Sequence, residues 1–250
     1  MKNTTSWSSQ SRWYDSIVGE SGHYYHQHVI IPGVLRLLGL KKGDSVLDLG
    51  CGQGVLARAL PREIAYTGLD ISDKLIALSQ KHPHSRTHIF LTHDVTTPLP
   101  FPPEKKFTHA AAILALQNIE QPELVFRNLR PHMAPGAKFV IVLNHPAFRI
   151  PRQSSWGWDS KQSLQYRRVD AYMSEQKIPI RMHPGSNEET TTSFHHPISA
   201  YVQACQKSGF YIENMEEWMS PKKSEGGRAH AEDRARAEFP LFLTICAVPR

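Results

Sequence analysis

The chain has 250 residues, 40% of them hydrophobic, enough apolar material for the core of one domain with or without an insertion. Its 29 Lys and Arg exceed 23 Asp and Glu by six charges, scattered along the chain, so RNA or an acidic substrate is permitted as a partner without being required, and the massed charge of a nucleic-acid-binding tail is absent. Three cysteines without a CxxC pair, 14 histidines without metal-binding spacing and no apolar run of bilayer length argue against a disulfide framework, a required metal and a membrane span.

Residues 1–12 are rich in Ser, Thr and Asn and read as a flexible N-terminus. They carry no apolar stretch, so no secretion signal is expected and the protein is placed in the cytoplasm. Residues 13–250 read as a single domain. It begins with a helical cap over 13–44, in which Val29-Ile30-Ile31-Pro32 opens a helix with Val34, Leu35, Leu37 and Leu38 on its apolar face and Gly39 at its end. Ser45 to Leu49 is the first strand, and Gly54 to Leu60 the helix after it. Tyr66 to Asp70 is the second strand, followed by a helix from Asp73 to Lys81 capped by Ser72. Thr87 to Leu91 and Phe107 to Leu114 are strands three and four, on either side of a proline-broken loop. A helix over Pro122 to Leu129, a turn at Pro135-Gly136 and a fifth strand over Lys138 to Leu143 complete the alternation.

Residues 145–195 then read as an insertion rich in Arg, Trp, Tyr, Ser and Pro, with irregular backbone and one short helix near Tyr166 to Gln176. Pro197 to Gly209 is a helix, Tyr211 to Trp218 and Leu241 to Val248 are the last strands, and the charged stretch Lys222 to Glu238 lies between them as an exposed loop or helix. Strands alternating with helices predict an α/β fold, a doubly wound parallel sheet with helices on both faces.

The stretch from Val46 to Gly54, VLDLGCGQG, carries the chemistry. An apolar strand runs into glycines at alternate positions, a backbone that turns tightly and admits a ligand without side chains in the way. Asp70 follows Gly50 by 20 residues, the spacing at which a carboxylate accepts hydrogen bonds from a ribose diol in a βαβ unit. The glycine spacing departs from the dinucleotide fingerprint, and Asp48 sits where a pyrophosphate is repelled but an ammonium is welcome. A nicotinamide-dependent oxidoreductase is therefore the weaker of the two nucleotide readings.

DLGCGQG at 48–54, YTGLD at 66–70 and THDV at 92–95, in order and each at a predicted strand end, resemble the class I S-adenosylmethionine-dependent methyltransferases. The resemblance implies a Rossmann-like seven-stranded sheet, mostly parallel, with an antiparallel C-terminal hairpin, and S-adenosylmethionine as cofactor. It implies that Asp48 and the loop Gly50, Cys51, Gly52 and Gly54 hold the methionine portion and Asp70 the ribose. Ile71 would pack on adenine, Asp94 and the Val95 backbone would receive its amino group, and Leu114 would open the loop facing the methyl group. The missing Asn/Asp-Pro-Pro-Tyr/Phe motif after strand four weighs against nucleobase and glutamine nitrogen as acceptors. The layout is similar to the ubiquinone- and menaquinone-biosynthesis type.

The acceptor side is read from residue chemistry. His145, after strand five, is a candidate general base near neutral pH. Gln117 and Asn118 are candidates to orient substrate, Arg149 to hold an anion, and Trp156 to form part of an aromatic lid. Tyr14, Tyr25 and His26 of the cap, and His195 before the following helix, complete the expected substrate wall. The expected acceptor is a small molecule, aromatic ones among the candidates. RNA or protein methylation and cofactor binding without turnover are the alternatives, and oligomeric state is left open.

Overall fold

The computed structural model describes residues 23–81, 88–181 and 190–250. The expected cap residue Tyr14 and the flexible N-terminus at 1–12 lie outside the described residues. The chain enters through a π-helical turn, His26–Ile30, continuous with α1, Ile31–Leu38. Gly39 closes α1 with φ +60°, a left-handed conformation that glycine adopts without a steric cost.

Strands β1 (Ser45–Leu49), β2 (Ala65–Asp70), β3 (Ile89–Thr92), β4 (Phe107–Ile113) and β5 (Met133–Asn144) form the parallel part of a seven-stranded sheet. Two strands reached later in the chain, β10 (Phe210–Trp218) and β11 (Phe242–Pro249), complete it in the order β3-β2-β1-β4-β5-β11-β10. β11 runs antiparallel to both β5 and β10. The expected mostly parallel sheet with its antiparallel C-terminal pair is what forms.

Side chains along a strand alternate between faces, and here both faces are covered. Leu47 and Leu49 of β1 and Phe139, Ile141 and Leu143 of β5 enter one core, while Val46, Val140 and Val142 enter the other. Against the first core pack α4 (Pro122–Leu129), through Val125, Phe126 and Leu129, and α5 (Ile198–Lys207), through Tyr201, Ala204 and Cys205. Against the second pack α1, through Val34 and Leu38, α2 (Val55–Ala59), through Leu56, and α3 (Asp73–Ser79), through Ile76. Ser72 caps α3 as expected, its Oγ accepting the Leu75 N–H at 3.3 Å. The last helix, α6 (Ala229–Glu238), occupies part of the charged stretch before β11.

Two local expectations are corrected. Pro135-Gly136 is no separate turn but part of β5, at a register shift opposite Phe107 and His109, with Gly136 at φ +72°. The helix expected near Tyr166 does not form. The insertion makes two antiparallel hairpins instead, β6 (Ser154–Asp159) with β7 (Leu164–Val169), and β8 (Gln176–Arg181) with β9 (Thr190–His195). In the first of them Gly157 faces Tyr166 across the ladder, and a β-carbon on the glycine would come within 2.3 Å of the phenol ring. The ring therefore lies over the glycine, a cross-strand pairing that stabilises a hairpin and has no counterpart in a helix.

Candidate functional site

In an open parallel sheet ligands bind beyond the carboxyl ends of the strands, where the strand order reverses. Here that point lies between β1 and β4, and a cavity of ≈ 590 Å³ opens there. Its floor is built by the loops that follow β1 to β4, and its roof by the segment between β5 and α5.

After β1 the backbone turns through Gly50 (φ +76°), Gly52 (φ +55°) and Gly54 (φ +78°). The Gly50 and Cys51 N–H groups both donate to the Leu69 carbonyl, tying the loop to the end of β2. A β-carbon on Gly50 would approach the Ala115 methyl to 2.6 Å, so both its φ and its neighbour demand glycine. Gly50 and Gly52 line the cavity.

Asp70, at the tip of β2, is the cavity's most constrained carboxylate. Its Oδ2 accepts the Gly52 N–H at 2.9 Å and its Oδ1 the Ser72 N–H at 2.8 Å. A carboxylate has about four acceptor sites, so each oxygen retains capacity for a ligand hydroxyl. Burial raises its pKa, and the two backbone donors oppose that rise. Ile71 and Leu75 line the wall beside it. After β3, Asp94 Oδ1 accepts from the Thr96 N–H at 2.9 Å and the Thr96 hydroxyl at 2.7 Å, with Val95 and His93 alongside in the wall. At the end of β4, Leu114 also lines the cavity, at φ +53°, a costly conformation for a side chain with a β-carbon. Its N–H bonds the Val142 carbonyl, and its own carbonyl accepts the Asn118 side chain at 3.2 Å. Gln117 and Asn118 follow in the wall, and Gln117 Oε1 is buried with no partner among the described residues.

The three other residues expected at the loop lie beneath or beside it, outside the cavity lining. Asp48 is 2% exposed, accepts the Tyr66 hydroxyl on Oδ2 at 2.8 Å, and has an unpartnered Oδ1. Burial pushes its pKa up to about 7, with the Asp70 charge adding to the rise and the Tyr66 hydrogen bond opposing it. Cys51 turns its sulfur toward Gly68, where a β-carbon would come within 2.7 Å of it. Burial raises its thiol well above the ordinary range, which makes it a poor nucleophile. Gly54 caps α2 and faces Phe90 and Ser79.

Of the residues proposed for the acceptor side, His26, Arg149 and His195 line the cavity. His26 is held neutral, its pKa lowered to about 4 by burial first and by His23 and Arg58 next. His195 shares a 2.6 Å hydrogen bond through Nε2 with the Tyr172 carbonyl. Tyr25 lies elsewhere, its hydroxyl 3.2 Å from Ser220 Oγ and its ring edge-on to Phe242. Trp156 packs on Phe239 and under the Arg167 guanidinium, outside the cavity lining.

His145 is corrected as a base. It is 1% exposed and absent from the cavity wall. Its Nδ1 accepts the Ala147 N–H at 3.2 Å, so Nε2 carries the proton and donates to Glu217 Oε1 at 2.7 Å. Both nitrogens are occupied and no lone pair is left for a substrate proton. His145→Ala is expected to cost about 1–3 kcal/mol of stability in denaturant melts, because two polar groups lose their partner. Affinity for S-adenosylhomocysteine should stay within about twofold by calorimetry, and a larger loss would return His145 to the site.

The cavity also holds His196, Tyr201, Phe194 and Ile180. His196 Nδ1 lies 3.4 Å from Glu175 Oε1, while Nε2 is buried without a partner among the described residues. The apolar alternation of Ile178 and Ile180, opposite the β-branched run from Thr190, was the available signal for this wall.

The donor and acceptor pattern suits an adenosine-type ligand. Asp70 and Asp94 offer acceptors where a ribose diol and an adenine amino group offer donors, and the glycine loop leaves bare backbone beside them. Among the described residues no cluster of His, Cys, Asp or Glu is arranged to hold a metal ion, and no helix is long and apolar enough to cross a membrane.

Residues 22–214 match the family model described as a methyltransferase domain. Among curated proteins, the demethylmenaquinone methyltransferase of Tropheryma whipplei (strain Twist) is 29% identical over 114 residues, 44% of this chain and 46% of that protein. The match thus spans about half the length of that relative. Among solved structures, an S-adenosylmethionine-dependent methyltransferase from Mesorhizobium loti superposes with a TM-score of 0.67 at 24% identity, over 87% of this chain and 96% of the other. A putative one from Listeria monocytogenes gives 0.64 at 19%, over 88% and 98%. At these identities the structural likeness establishes the fold.

Proposed function

This chain belongs to the methyltransferase domain family, and from that membership we propose that it transfers a methyl group from S-adenosylmethionine to a small acceptor, with aromatic molecules the leading class. The observation that carries the reading is Asp70, held by two backbone N–H groups and presented to the cavity beside the glycine loop. Asp70 would hold the ribose, Asp94 and Val95 the adenine edge, Ile71 its face, and Gly50 and Gly52 the methionine portion. Asp48 would act from beneath the loop as a buried carboxyl that ionises in favour of the ammonium.

When bound, S-adenosylmethionine would supply a methyl group activated by its sulfonium, transferred to an acceptor in line with the sulfur, which leaves with the bonding pair as the neutral thioether. The chain's own work is positioning and exclusion of water. The turn from Leu114 to Asn118 is braced by the Leu114 N–H to Val142 bond and by the Ser193 hydroxyl on the Gln117 carbonyl, 3.2 Å apart. Ile150, Ile180 and Phe194 give the acceptor an apolar wall, suited to a planar ring. His196, with Glu175 at Nδ1, has Nε2 available to take a proton from the acceptor. The relative named for demethylmenaquinone, a quinone, points toward the same acceptor class.

S-adenosylhomocysteine should raise the melting temperature of the protein, by an amount equivalent to about 2.7 kcal/mol at 100 times its Kd. A nicotinamide dinucleotide should not. Absence of a shift with the former, or an equal shift with both, rejects the reading.

A further inference from the structure

The charges of the cavity wall are sorted by position. Asp94 and Asp70 stand at the ends of β3 and β2, whereas the loop after β5 contributes Arg149. Glu120 also lines the wall but lies 3.6 Å from the ammonium of Lys177. Arg149 is placed by its own backbone, its N–H closing a turn onto the His145 carbonyl at 2.8 Å. Its side chain is half-buried, and among the described residues it makes no ion pair and no side-chain hydrogen bond.

The neighbouring arginine shows the contrast. Arg167 donates Nε to the Phe148 carbonyl at 2.7 Å and Nη2 to Ser154 Oγ at 2.8 Å, and lies over Trp156. Burial lowers the Arg167 pKa and the like charge of Arg149 lowers it further, so the charge next to Arg149 is repulsive. Burial works against the Arg149 charge, and among the described residues no carboxylate offsets it. A guanidinium does not shed its proton in a protein, so a half-buried one without a counterion is a cost that an arriving anion relieves. Its planar fork matches two carboxylate oxygens.

We propose that Arg149 is a seat for a ligand carboxylate at the β5 end of the cavity, with a small carboxylic-acid acceptor bound through this fork as one source of the anion. The inference rests on the methyl-transfer reading for what enters the cavity, and on the unpaired guanidinium for its charge. The cofactor's methionine portion carries the same chemistry, an α-carboxylate, and is the other source of the anion.

Calorimetry on the full chain and on Arg149→Gln and Arg149→Lys separates the sources. The nucleoside probes are S-adenosylhomocysteine and 5′-methylthioadenosine, which lacks the amino-acid end. The acceptor probes, titrated into protein saturated with S-adenosylhomocysteine, are 4-hydroxybenzoate and its neutral twin 4-hydroxybenzamide. If the acceptor supplies the carboxylate, the wild type prefers the benzoate at least tenfold. Arg149→Gln then abolishes that preference, Arg149→Lys keeps part of it, and both nucleosides bind within twofold of wild type. If the cofactor supplies it, Arg149→Gln weakens S-adenosylhomocysteine at least tenfold and leaves 5′-methylthioadenosine within twofold. The proposal is overturned if Arg149→Gln changes no probe, or if it weakens both nucleosides together. Failure of the wild type to bind S-adenosylhomocysteine would instead sink the methyl-transfer reading, which the variant comparison does not touch.

Discussion

Asp70→Ala is expected to weaken S-adenosylhomocysteine binding by roughly ten- to a hundredfold or somewhat more, the equivalent of about 1.5–3 kcal/mol for hydrogen bonds to a charged group. The carboxylate does two things at once. It faces the cavity, and it holds the Gly52 and Ser72 N–H groups that shape the glycine loop and the start of α3. Removing it loosens the loop as well as deleting the ligand contact, so melting temperature and affinity should both fall. Asp70→Asn separates the effects, since its remaining oxygen still accepts one backbone N–H while the negative charge is gone. Burial raises the Asp70 pKa, so acid should weaken binding at a higher pH than for an exposed aspartate. A folded Asp70→Ala variant with wild-type affinity in calorimetry would remove this residue from the site.

Asp48→Asn should show its effect in the pH dependence of stability. Asp48 is buried, with one oxygen on Tyr66 and the other unpartnered, and its pKa in the folded protein rises to about 7 against the ordinary 3.8. A carboxyl with a raised folded-state pKa binds its proton more tightly when folded. Its stabilising contribution is complete below the unfolded value and is lost as pH rises through the folded value, here across about pH 4 to 7. At pH 8 the wild type carries a buried anion that costs on the order of a few kcal/mol. Asparagine removes that cost but leaves an amide N–H without an acceptor, which returns about 1–3 kcal/mol. Denaturant melts should therefore show the variant gaining on the wild type as pH rises from 5 to 8. A difference constant over that range would mean Asp48 stays charged throughout.

The sheet was legible because its signals are local. The parallel strands carry apolar runs whose alternate residues enter opposite cores, as Val46 and Leu47 do, and β1 runs into Gly50 while β2 ends on Asp70. The glycine loop, Asp70 and Asp94 could be placed for the same reason, because the side chain and the turn that presents it lie within a few residues of each other. The roof obeys long-range pairing. Leu164–Val169 resembles a helix within its own window, and only its partner strand, with Gly157 opposite Tyr166, makes it a hairpin. His145 follows the same rule. The residue that occupies its Nε2, Glu217, lies 72 positions away on β10, a partner that no local pattern announces. Arg149 is a candidate by type alone, and its interest comes from the lack of a counterion among the described residues, which is a property of three dimensions.

The division of the cavity between two stretches of chain has a consequence for evolution and engineering. Every loop proposed to grip the donor follows β1, β2, β3 or β4, while most of the opposite wall comes from one uninterrupted segment running from the end of β5 to the start of α5. Loops on a rigid scaffold diversify more readily than the scaffold itself. Grafting that segment from a homologue is therefore the economical way to retarget this molecule, and natural lineages sharing the frame are free to diverge in what they modify while keeping one fuel.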